Sequence, residues 1–160
     1  MKRWLPKRFL AATIVMPALV VVFFAGEQAY AGGNDHPAKC TLETLNGQYL
    51  VAANGTLFPP AFGVTGQSVS SAAGYSTYNG DGTGTDWVTF AIDGTVAVGA
   101  VPSPTPTTYT LNSNCTGTKT VMNGPHFNIF VAIDGSGLTA IATDQGFAVS
   151  ESDRRVGSDR

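Results

Sequence analysis

Residues Tyr78–Ala100 read YNGDGTGTDWVTFAIDGTVAVGA. The stretch divides into a strand end, a glycine-rich turn, a strand from Asp86 to Ile92, a tight Asp93-Gly94 turn and a further strand from Thr95 to Val101. Asp-Gly between alternating apolar residues is hairpin chemistry, because the turn needs positive φ and these residues tolerate it. An echo follows at Phe127–Thr143, FNIFVAIDGSGLTAIAT, and AIDG occurs at both Ala91–Gly94 and Ala132–Gly135. Aligning the two turns superposes Val88 on Ile129, Phe90 on Val131 and Ile92 on Ile133. Trp87, Thr89 and Ala91, and likewise Asn128, Phe130 and Ala132, then take the opposite face. A period of two kept through both hairpins predicts that both present one face to one core.

Outward from this stretch the pattern continues. Cys40–Gly47 predicts one helical turn, with Thr41 as N-cap and Gly47 as its stop. Strands are expected at Gln48–Ala53, Phe62–Val69 and Ala73–Tyr78 before the central stretch. After it they are expected at Thr107–Leu111, Thr118–Met122, Phe127–Ile133, Leu138–Thr143 and Phe147–Ser150. Pro59-Pro60 marks a loop, and PSPTP at Pro102–Pro106 marks a break. Frequent turns with no amphipathic helix between them predict an all-β fold. Closing about eight antiparallel strands into a meander barrel would bury one face and remove the sheet edges. A two-sheet sandwich uses the same alternation and is the alternative.

The ends read differently from the middle. Lys2, Arg3, Lys7 and Arg8 precede an apolar run from Phe9 to Phe24, and Ala29-Tyr30-Ala31 supplies a small-x-small cleavage pattern. Residues 1–31 are therefore expected to be an export signal. The run is shorter than the roughly 20 residues a membrane-spanning helix requires. No second hydrophobic run follows, so the membrane is not an expected partner after cleavage. A lead-in at residues 32–39, a barrel domain at 40–151 and a polar tail at 152–160 complete the expected division, with a secreted or periplasmic location.

Lysine and arginine total nine against eleven acidic residues. Four of those cations and one acid lie in the first 31 residues, which leaves a net charge of about −5 on the remainder. With no basic patch, nucleic acid is excluded as an expected partner. Cys40 and Cys115 are the only cysteines, and in an oxidising compartment an even pair is most simply a disulfide. A metal pair or a nucleophile are the rival readings. A metal would want more ligands, with only His36 and His126 to supply imidazoles.

No nucleophile elbow, zinc spacing, phosphate loop or dinucleotide fingerprint is present. NGDGTGTD at Asn79–Asp86 alternates oxygen donors as a calcium loop does, but Phe90 stands where the bidentate Glu belongs. A glycine-rich β-turn is the simpler reading. His126 has no carboxylate partner readable nearby, since Asp134 lies at the far end of its strand. The aromatics are more informative. Tyr49, Tyr75, Trp87, Tyr109 and Phe130, with His126, are the candidate lining of a small-ligand cavity, because Tyr and Trp join an apolar ring to a polar tip. Packing of a filled core is the alternative for the same residues.

CTLETLNGQY (Cys40–Tyr49), YNGDGTG (Tyr78–Gly84) and YTLNSNCTGT (Tyr109–Thr118) together resemble small exported bacterial proteins with an allene-oxide-cyclase-like or lipocalin-like barrel. The resemblance implies a closed antiparallel barrel with an internal cavity. No catalytic residue of a cyclase matches a position here, so the activity does not carry over. The expected function is binding of a small apolar ligand without a cofactor or a metal. The alternatives are a cofactor-free isomerase or cyclase steered by Tyr49, Tyr109 and His126, and a structural envelope protein with a filled barrel. The sequence is silent on oligomeric state.

Overall fold

The computed structural model describes residues 39–99 and 103–157, all within one compact unit. The export signal expected at residues 1–31 lies outside the described residues. The strands are β1 (Asn46–Leu57), β2 (Ser68–Asn79), β3 (Thr83–Ile92), β4 (Thr95–Val98) and β5 (Thr105–Leu111). They continue as β6 (Thr116–Val121), β7 (His126–Val131), β8 (Gly137–Ala142) and β9 (Phe147–Arg155). Antiparallel ladders join β1 to β2, β2 to β3, β3 to β5, and then each strand to the next as far as β9. β9 returns to β1 through Tyr49↔Arg155 to Leu57↔Phe147 and closes an eight-strand barrel. β4 lies outside the ring and pairs only with β3. The ring is an up-and-down meander, so closure removes the sheet edges that a sandwich would leave.

Alternation sets the inside of the barrel. Tyr49, Val51, Ala53 and Leu57 of β1 are buried, as are Phe127, Ile129 and Val131 of β7 and Leu138, Ala140 and Ala142 of β8. Ile129 and Val131 face the core as expected, while Ile133 falls beyond the strand end and is exposed. The two AIDG turns do different work. The first, with Asp93 at φ 49° and Gly94 at φ 77°, sends the chain out of the ring into β4. The second connects β7 to β8 at the opposite end of the barrel, with Asp134 Oδ1 accepting from the Ser136 amide at 2.9 Å.

Four expectations need correction. One long strand, β2, replaces the two expected over Phe62–Val69 and Ala73–Tyr78, and Phe62 sits in a 3₁₀ turn at Ala61–Gly63. The strand expected at Thr95–Val101 is the short β4, outside the ring. Pro106, read as part of a break, belongs to β5. It lies one residue from the strand start, where a missing amide is tolerated. β9 continues through Glu151, Asp153 and Arg155 instead of stopping at Ser150, because β1 and β8 offer ladder partners along that length.

One end of the barrel is plugged. Thr41 precedes a 3₁₀ turn at Leu42–Thr44, and its amide donates to Thr44 Oγ1 at 3.0 Å. Leu45 follows, fully buried. The Cys40–Cys115 disulfide, with Cα atoms 5.0 Å apart, ties this plug to the turn between β5 and β6. Asp81 Oδ1 accepts from the Thr83 amide and hydroxyl, so the Asn79–Asp86 motif is a side-chain-braced turn. No helix among the described residues is long and apolar enough to cross a membrane.

Candidate functional site

Three levels follow one another along the barrel interior. At the plugged end Tyr78 stands between Tyr49 and Tyr109, with both ring centroids 5.3 Å away and both contacts edge-to-face. Their hydroxyls bind the plug and its neighbouring turn. Tyr49 donates to the Gly135 carbonyl at 2.8 Å, and Tyr109 lies 2.9 and 3.0 Å from the carbonyls of Leu42 and Leu45. Arg155 donates to the Tyr49 oxygen and to the Thr44 carbonyl. Each such aromatic pair adds about 1 kcal/mol beyond the apolar area it buries.

The middle level is a buried cluster of charges. Lys119 of β6, with its side chain 0% exposed, places Nζ 2.8 Å from Glu151 Oε1 and 3.1 Å from Asp86 Oδ2. Ser76 donates to Asp86 Oδ1 at 2.6 Å, and Tyr78 donates to Asp153 Oδ2 at 2.9 Å. The rings of Tyr78 and Phe127 flank the ammonium at 5.7 and 6.0 Å. A charge removed from water must be compensated by close opposite charge and hydrogen bonds. Burial alone would lower the Lys119 pKa, but the facing Glu151 and the neighbouring acidic groups hold it well above the usual lysine range. Asp153 goes the other way. Burial, reinforced by Glu151, raises its carboxyl to about 8, which keeps it protonated at neutral pH.

The third level is open. A cavity of about 310 Å³ extends from the charge cluster to the unplugged end. Its walls include Ala53, Val88, Phe90, Phe147 and Val149, and Asp86 and Glu151 form its floor. β4 contributes Val98 from outside the ring. Phe62 covers one side of the mouth, with its ring centroid 5.2 Å from that of Phe90 and 5.1 Å from that of Phe147. It is held at φ 45°, a left-handed conformation costly for a bulky residue. Phe58, Val69, Val96 and Met122 leave further apolar surface exposed at this end. The volume is at the small end of ligand sites, and an apolar wall with a few convergent polar groups is their usual make-up.

None of the six residues expected to line a cavity borders this one. Tyr49 and Tyr109 belong to the plug. Tyr75 and Trp87 stack on each other at 5.9 Å on the outward-facing side of β2 and β3. Phe130 is exposed and borders an outward-facing groove of about 320 Å³ with Thr110, Thr118 and Asn128. His126 is exposed on the rim, where its Nδ1 lies 3.0 Å from Asp144 Oδ1 and its amide donates to Asp144 Oδ2 at 2.6 Å. Those contacts hold the Asp144 carboxyl below its usual range, the His126 amide contributing most. The pair fastens the start of β7 to the turn before β9, and the sequence had offered no partner for this histidine.

Sequence reasoning missed the charge cluster. The signal was present in β9, where Val149, Glu151, Asp153 and Arg155 keep the period of the strand through a run of charges. Lys119 gave a second hint, as the one charged residue within β6. Among the described residues no group of three or more His, Cys, Asp or Glu side chains is arranged to hold a metal ion. Comparison of the chain with models of known protein families, with curated proteins and with solved structures finds no match.

Proposed function

We propose that this chain is an exported small β-barrel that binds a small, largely apolar ligand in the cavity at its open end. The observation that carries the reading is the cavity of about 310 Å³, walled by Phe62, Phe90, Phe147, Val88 and Val149, in a barrel whose other end is plugged. A blind apolar pocket desolvates one small molecule and gives it a single way in. Export is supported by the three-part pattern of residues 1–31 and by a disulfide, which persists in oxidising compartments. The likeness to allene-oxide-cyclase-like and lipocalin-like barrels adds the ligand-binding habit of such cavities.

Titration with a neutral dye that fluoresces in apolar surroundings, such as phenylnaphthylamine, tests the reading. Saturable one-to-one binding is expected, and it should be lost in Ala53→Trp, which fills the cavity from β1. Binding that survives the filled cavity would place the ligand elsewhere, and absence of binding to the wild-type chain would overturn the proposal.

A further inference from the structure

We propose that the cavity selects small amphipathic amines, with the ring or short chain between Phe62, Phe90 and Phe147 and the ammonium on the free oxygen of Glu151, beside Asp86. The proposal rests on the cavity-binding reading above and specifies the polar group of the ligand.

The interior cluster sets three carboxyl groups, Asp86, Glu151 and Asp153, against one ammonium, Lys119. Even with Asp153 protonated, the cluster keeps one surplus negative charge. A desolvated surplus of this kind favours a cation that can reach it.

Both Asp86 oxygens are engaged, one by Ser76 and one by Lys119. Glu151 is different. Its Oε1 accepts from Lys119, whereas its Oε2 accepts no hydrogen bond among the described residues and is not among the fully enclosed unpartnered atoms. Glu151 is 8% exposed and borders the cavity, so this oxygen is open to whatever occupies it. A donor group at the floor would complete the coordination of the carboxylate, as charge-assisted hydrogen bonds do.

The described lining carries no Lys, Arg or His, and Lys119 is held wholly behind its two carboxylates. An anionic ligand would meet like charge at the floor with no cation to answer it. A neutral alcohol could donate to Glu151 but would leave the surplus charge in place.

Calorimetric titration of the full chain with naphthylmethylamine, naphthalenemethanol and naphthoate, at neutral pH and low salt, tests the assignment. The three probes share one ring system and differ in the head group. The amine is expected to bind at least about tenfold more tightly than the alcohol, a ratio in reach of one partly desolvated charge pair, with naphthoate weakest. Glu151→Gln should bring the amine close to the alcohol. If that variant fails to fold, the wild-type ratio decides alone, and Asp86→Asn repeats the test from the other carboxylate. Equal binding of amine and alcohol, or a preference for naphthoate, would overturn the amine assignment and leave the cavity reading standing. Binding of none of the three would overturn both.

Discussion

Lys119 Nζ lies 2.8 Å from Glu151 Oε1, joining β6 to β9 across the inside of the barrel. The contact sits between an aromatic plug and an apolar cavity, so it serves both. It lets charged residues remain inside the fold, and it leaves one face of Glu151 towards the open end.

Removing the cation should be costly. Lys119→Met keeps the length of the side chain but leaves Asp86 and Glu151 buried without compensation. Breaking one partner of a buried pair costs about 3–5 kcal/mol. Urea unfolding of the variant is expected to show a loss of that order, and a loss under about 1 kcal/mol would mean that the cluster relaxes into water.

Stability should fall as pH rises through the neutral range, with Asp153 as the cause. Its folded carboxyl titrates at about 8, well above the ordinary value of 3.8. Between those values the folded state holds a proton that the unfolded chain has released. The contribution of Asp153 is therefore fully present below about pH 4 and is lost by about pH 8. At about 1.4 kcal/mol per pKa unit, a rise of about four units amounts to roughly 6 kcal/mol at most. Asp153→Asn should flatten the dependence in that window, and equal slopes for wild type and variant would contradict the assignment.

Reduction of Cys40–Cys115 should destabilise the barrel without changing its topology. The bond closes a loop spanning 75 residues, for which loop entropy gives about 4 kcal/mol. Chemical denaturation of Cys40→Ser with Cys115→Ser, compared with the oxidised chain, reads this directly. A change below about 1 kcal/mol would mean that the plug orders the unfolded chain without the bond.

Gly135 should not tolerate a side chain. It takes φ 66°, and a Cβ there would collide with the Thr44 carbonyl oxygen. Its own carbonyl accepts from Tyr49, so any shift also disturbs the plug. Gly135→Ala is expected to cost about 2 kcal/mol or more, from the left-handed conformation together with the clash, and thermal unfolding measures it.

Much of the barrel was legible because closure depends on turns and on a period of two, both of which sequence carries. Asp93-Gly94 and the paired phases of Val88 with Ile129 and Phe90 with Val131 were enough to give one shared core. What alternation cannot tell is which end of a barrel is plugged. Tyr49 and Tyr109 face inward as expected of cavity residues, yet they lie at the end that Leu45 and the 3₁₀ turn fill. Trp87 was on the opposite phase from Val88 and Phe90 in the same strand, so its outward place was readable. Glu151 and Asp153 were hidden by the general rule that charge stays in water, which holds unless a partner such as Lys119 arrives from another strand. That pairing depends on tertiary placement, with Lys119 and Glu151 lying 32 positions apart in the chain.

The most direct test of the central claim is a titration of the isotopically labelled chain with naphthalenemethanol, followed by amide chemical shifts. Binding in the cavity predicts saturable shifts at Phe62, Val88, Phe90, Phe147 and Val149, with Tyr75, Trp87 and Phe130 unmoved, and no such response in Ala53→Trp. Saturable shifts centred on Phe130 or on the Tyr75–Trp87 stack, or none at all, would contradict a ligand-binding cavity at the open end of the barrel.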